Sequence, residues 1–189
     1  MSERNTLIRS LHDVGLAAWF GGSLMGAVGL NGAAKDEGGN DPTGERISSS
    51  GWAKWTPVNA AAIGAHLFGG GGLLAVNAHR VAAQQGVAAS TTAKTIVTAA
   101  ALAATAYARV LGKKVELASS TDPQDAEKAQ KHPLDLDKAR RQLARVQWVV
   151  PALTGCLVVL NALHGEQQRP IEQIPGMWGR ARSATHLMS

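Results

Sequence analysis

Charged residues in this chain fall into clusters, and the stretches between the clusters are long and apolar. No Asp, Glu, Lys or Arg occurs between Val14 and Ala34 (21 positions), between Trp55 and Ala78 (24), or between Val146 and Gly165 (20). A helix needs about 20 such residues to cross the hydrocarbon core of a bilayer. A surface helix of a water-soluble protein carries a polar stripe, and these three segments have none. A fourth segment, from about 93 to 112, is alanine-rich, with Lys94 and Arg109 near its ends, where long side chains snorkel to opposite interfaces. The pattern predicts an all-α polytopic membrane protein, an antiparallel bundle of four transmembrane helices at about 11–34, 55–79, 93–112 and 146–165. Alanine adds little transfer free energy, so the third span is expected inside the bundle rather than against lipid.

The punctuation between spans fits one membrane domain over residues 1–189. Residues 35–51 are rich in Gly, Asn, Asp, Pro and Ser and read as a turn-rich loop. Pro57 suits the first turn of the second span. Residues 113–145 form a long charged loop, inside which Asp122 and Pro123 mark a helix start that His132-Pro133 ends. Asp135 or Asp137 caps a further helix running into the fourth span, where Pro151 is expected to kink it. The tail, 166–189, holds Pro170, Pro175, Gly176 and Gly179 and reads as extended.

Four spans place both termini at one membrane surface, here called the terminal surface, and the 35–54 and 113–145 segments at the other, the loop surface. Trp52, Trp55 and Trp148 fall at the loop surface, where an aromatic belt is expected. Lys and Arg number 7 at the terminal surface and 12 at the loop surface, which favours a cytoplasmic loop surface. Arg4 and Arg9 before the first span favour the opposite orientation, so the two criteria disagree.

Composition narrows the chemistry. The net charge is +5 and charged residues make up 17%, against about 25% in a typical soluble protein. The first apolar run is too long for the core of a cleavable signal and reads as a retained span. The single cysteine, Cys156, has no partner for an intramolecular disulfide and is expected as a small buried hydrophobe. Between Lys113 and Arg145 eight basic and six acidic residues nearly cancel. The part near Lys131 to Arg145 is expected to attract anionic lipid head groups, and the segment, without interleaved aromatics, is no nucleic-acid patch. No paired carboxylates lie within a span, and no catalytic triad order or nucleotide-binding loop appears. Gly69–Gly72 lacks the Lys-Ser/Thr of a phosphate loop. The glycines of span one, among them Gly22-x-x-x-Gly26, read instead as helix-packing seams.

Histidines are the candidate site residues. His66 lies about eleven residues into the second span, roughly 16 Å deep at 1.5 Å per residue. It is expected either to bond a hydroxyl such as Ser23, Thr105 or Thr154 or to serve as a ligand or proton relay. His12 with Asp13, His79 with Asn77, and His164 with Asn161 end three spans at the terminal surface. Three imidazoles with an aspartate suit a transition metal. Bis-histidine haem ligation fits less well, because His66 has no partner at its level, while His79 and His164 lie near the aqueous edge. His132 and His186 read as solvated.

At His12, Trp19, Gly21 and Gly22 the chain resembles the copper-resistance D-like group of small bacterial four-helix membrane proteins. Over its whole length, through stretches such as GWAKWTPVNAAAIGAHLFGG and WVVPALTGCLVVLNALHGEQQRP, it resembles an actinobacterial family of four-helix integral membrane proteins. The resemblance implies a multi-pass protein of a bacterial plasma membrane and carries no activity with it.

These readings lead to a non-enzymatic accessory or scaffold subunit of a larger membrane complex, respiratory or transport, whose partners are other subunits and lipid. The apolar residues Ile171, Ile174, Met177 and Trp178 make the tail a docking element, with Met177 and Trp178 at its centre. The alternative is a small protein handling a transition metal, haem or proton through His66 or the His12, His79 and His164 group.

Overall fold

The computed structural model describes residues 5–38, 42–78, 85–120, 122–131 and 135–167. Its elements are α1 (Thr6–Met25), a π-helical turn (Gly26–Leu30), α2 (Asn31–Gly38), α3 (Pro42–Val76), α4 (Gln85–Ser119), α5 (Pro123–Lys131) and α6 (Leu136–Gln167). Among the described residues four helical stretches are long and apolar enough to cross a membrane: Thr6–Gly38, Thr43–Val76, Val87–Ser119 and Leu136–Leu163. The protein is an all-α, four-helix membrane bundle. Its most extensive packing is between antiparallel α1 and α3 and between antiparallel α4 and α6, with α1 also against α6.

The four helices meet at a narrow waist. Each contributes one buried residue: Trp19 from α1, Ala62 from α3, Ala101 from α4 and Val150 from α6. One large ring among three small side chains brings the backbones close, which suits a bilayer, where apolar burial alone does not drive association. Trp19 is wholly buried, and its Nε1–H donates to Thr105 Oγ1 at 3.2 Å. The Thr105 hydroxyl in turn donates to the Ala101 carbonyl at 2.8 Å, so the indole dipole is satisfied without water.

Several local expectations are met. Asp122 caps α5, accepting from the Gln124 N–H at 2.8 Å, and Pro123 opens that helix. Asp135 caps α6 by accepting from the Lys138 N–H at 2.8 Å.

Others are corrected. The 35–51 segment is mostly helical: α2 runs to Gly38 and α3 begins at Pro42. Pro57 therefore sits well inside α3 rather than in its first turn. Tertiary contacts override the local turn preference there. Gly38 and Gly44 touch backbone to backbone, Ser48 and Trp52 bond Asn31, and Glu45 bonds Arg140. Span three is the least buried of the four, 11% of its most apolar window against 33% for span one. Alanine lets α4 close on α6 along a thin seam, and the rest of its surface faces outward. Cys156 is exposed on the outside of α6. Trp52 and Trp55 are not belt residues, since their rings turn inward onto Gly26 and Gly22; Trp148 is half-exposed.

Helices α3, α4 and α6 continue past the apolar windows at the loop surface. A 35-residue helix such as α3 or α4 is about 52 Å long at 1.5 Å per residue, against a hydrocarbon core of about 30 Å. The overhang carries Arg46, Lys114 and Arg141, and Arg140 Nη2–H donates to Glu45 Oε2 at 2.9 Å across α6 and α3. Just inside this overhang, Asn31 joins three helices. Its Nδ2 donates to Gln147 Oε1 at 2.7 Å, and its Oδ1 accepts from Ser48 Oγ at 2.6 Å and from Trp52 Nε1 at 2.9 Å.

Candidate functional site: a histidine clasp between two cavities

His12 on α1 and His66 on α3 stack, with ring centroids 4.1 Å apart and planes 21° from parallel. His12 Nδ1 lies 3.0 Å from the His66 carbonyl oxygen, and His66 Nδ1 lies 3.1 Å from the His12 carbonyl oxygen. A carbonyl only accepts, so both Nδ1 atoms carry a proton. Asn161 Nδ2 on α6 approaches His12 Nε2 at 3.4 Å, a long contact. The Trp19 ring meets His66 edge-on, with centroids 6.1 Å apart.

The clasp repeats one short pattern in two antiparallel helices, His12-x-x-Gly15 and His66-x-x-Gly69. A Cβ at Gly15 would lie 2.5 Å from the His66 nitrogen, and one at Gly69 would lie 2.5 Å from the His12 nitrogen. Each glycine thus opens the space that brings the opposite histidine to the helix backbone. Gly22 and Gly26 have another job than close helix approach: they admit the indoles of Trp55 and Trp52.

Two cavities flank the waist. The one at the terminal surface, about 1290 Å³, is bordered by His12, Asp13, His66, Lys94 and Asn161. The one at the loop surface, about 790 Å³, is bordered by Trp52, Trp55, Asn59, Arg109, Glu116 and Gln147. Leu102 borders both, and Trp19 fills the waist between them. Two buried polar atoms on residues that border the loop-surface cavity, Trp55 Nε1 and Asn59 Oδ1, have no hydrogen-bond partner among the described residues. Leaving such a group unmade costs about 1–3 kcal/mol.

The sequence expectations are redistributed by this geometry. His66 does have a partner at its level, and that partner is His12. The hydroxyls of Ser23, Thr105 and Thr154 bond the carbonyls of Phe20, Ala101 and Val150 on their own helices instead of His66. Stacked rings 4.1 Å apart leave no room for a porphyrin between them, so the His12–His66 pair is not a bis-histidine haem site. His79, Met177 and Trp178 lie outside the described residues, as does the side chain of His164. Among the described residues no three His, Cys, Asp or Glu side chains gather within reach of one metal ion. Sequence reasoning missed Asn31, the Gly15 and Gly69 contacts and the Trp55–Asn59 pair.

Comparison with protein-family models, curated proteins and solved structures gives no match to this chain.

Proposed function

We propose that this chain is a non-enzymatic accessory or scaffold subunit of a larger membrane complex, respiratory or transport, in a bacterial plasma membrane. The helical overhang at the loop surface carries this reading. Residues 42–51 and 113–119, which read as loop, continue α3 and α4, and together with the expected helical lead-in of α6 they form the overhang, where Glu45 bonds Arg140. A rigid, charged platform standing on a small bundle suits docking, because little conformational entropy is lost when a partner binds it. The test is purification in mild detergent followed by mass spectrometry of co-eluting proteins. The parent chain should bring down a membrane partner in constant ratio. A variant with Arg46→Glu, Arg141→Glu and Arg145→Glu should lose it while eluting as a folded protein. Partner recovery unchanged by these reversals would refute docking at the overhang.

A second reading rests on the clasp. His12 and His66 border a cavity at the terminal surface together with Asp13 and Lys94, a setting for handling a proton or a metal ion. Metal analysis and proton-flux measurements on the purified protein in vesicles, with His12→Ala and His66→Ala alongside, test it. A metal-free protein with no flux above that of the variants would leave the clasp as a purely structural brace.

A further inference from the structure

We propose that the terminal-surface cavity binds an amphiphile with one negatively charged head group, its chain running toward the waist. This site is independent of docking at the overhang, which lies at the opposite end of the bundle.

The charged wall comes from two different helices. Arg9 and Asp13 on α1 and Lys94 on α4 border the cavity, and the charges of both Arg9 and Asp13 reach Lys94. Among the described residues the side chains of Arg9 and Lys94 make no hydrogen bond and no ion pair. Two cations therefore stand beside one space without an anion in contact with either. Lys94 is only partly exposed, and withdrawing an ammonium from water without a counter-charge is costly. An anionic oxygen between Arg9 and Lys94 removes that cost. Asp13 offsets one of the two cations, so the described lining carries one net positive charge and matches one negative charge.

The wall changes character with depth. Lys94 precedes Leu102 on α4 by eight residues, about 12 Å along a helix. Leu102 borders the waist, and Leu16 and Leu157 also line the cavity; Leu16 lies three residues before Trp19 on α1. The space is thus cationic toward the terminal surface and apolar toward the waist. A lipid in the leaflet at that surface has the same order, head outward and chain inward. At about 1290 Å³ the cavity exceeds the roughly 300–1,000 Å³ of ordinary small-molecule sites, which leaves room for chain as well as head group.

The test uses the full chain purified in detergent and titrated with dioleoyl phosphatidylglycerol, with native mass spectrometry as the readout. Dioleoyl phosphatidylcholine has the same chains without the net charge, and inorganic phosphate has the charge without the chains. The proposal predicts one bound phosphatidylglycerol per chain, displaced by neither. Arg9→Gln and Lys94→Gln should each weaken binding at least about tenfold, as for a lost hydrogen bond to a charged group. Asp13→Asn should tighten it, because the one repelling charge is gone, and a gain of binding does not arise from misfolding. Lys35→Gln, at the other cavity, should leave binding unchanged. Thermal unfolding of each variant checks that it folds. Binding untouched by the Arg9, Lys94 and Asp13 substitutions overturns the proposal, as does a loss confined to Lys35→Gln, which would place the site at the loop surface. Equal uptake of phosphatidylcholine would mean an unspecific greasy crevice, and displacement by inorganic phosphate would mean a site for free anions; either overturns it. So does the absence of any bound lipid.

Discussion

Gly15 lies so close to His66 that a methyl group added to it would sit 2.5 Å from the His66 backbone nitrogen. The obstacle is main chain, not a side chain that can swing aside. Gly15→Ala and Gly69→Ala should each destabilise the bundle by about 1–3 kcal/mol, the usual range for overpacking. A Cβ added at Gly21 or Gly64 meets nothing within 4 Å among the described residues, so alanine there should be neutral or stabilising by up to about 1 kcal/mol, since glycine is a poor helix former. Unfolding midpoints of the four variants in one detergent check this contrast. A loss at Gly21 equal to that at Gly15 would contradict the packing described.

The two histidines should behave as a unit. Each ring donates to the main-chain carbonyl of the other residue, so removing either ring removes its own hydrogen bond and the stack and leaves the other ring's bond in place. A cycle of His12→Ala, His66→Ala and the double variant should show a coupling of about 0.5–1.5 kcal/mol, the contribution of the stack alone. Additivity within about 0.5 kcal/mol would mean that the rings lie near one another without supporting one another.

Asn31 offers a separate test at the loop surface. Asn31→Leu leaves Ser48, Trp52 and Gln147 without the partner that joins them. The expected cost is about 1–3 kcal/mol, with Trp52 more accessible to an aqueous quencher. Asn31→Asp, which keeps the acceptor for Ser48 and Trp52, should preserve the Trp52 environment. Equal quenching in both variants would show that the Asn31 acceptor does not hold the indole.

The Glu45–Arg140 bond should matter little to stability. Both side chains are partly solvent-exposed, at 29% and 42%, and pairs of this kind contribute about 0–1 kcal/mol. Glu45→Gln should leave the unfolding midpoint nearly unchanged, and what small effect there is should shrink further with added salt. A loss of several kcal/mol would mean that the overhang is integral to bundle folding rather than a platform upon it.

Much of the fold was legible in the sequence, for identifiable reasons. The three charge-free windows and the alanine-rich stretch between Lys94 and Arg109 locate the four spans because length and polarity alone decide whether a segment stays in a bilayer. Asp122 and Asp135 announce their helices because capping is local. The helical run through 42–54 was hidden because its Gly, Pro and Ser content favours turns, and contacts from Asn31 and Arg140 outweigh that preference. The site was only half visible. His12 and His66 were both singled out, but their pairing depends on the register of α1 against α3, which no single-helix pattern encodes. The repeated His-x-x-Gly spacing, His12 with Gly15 and His66 with Gly69, was the available sign. Trp55 and Asn59 gave none, since an orphaned atom is defined only by what surrounds it.

The docking reading stands or falls on the company this chain keeps in its membrane. The direct measurement is native electrophoresis of mildly solubilised membranes, with the parent chain compared against the Arg46→Glu, Arg141→Glu and Arg145→Glu variant. A 19.7 kDa protein that serves as an accessory subunit should migrate within an assembly many times its own mass, and the variant should fall to the small detergent-bound form. Parent and variant both migrating as the small form would contradict the account.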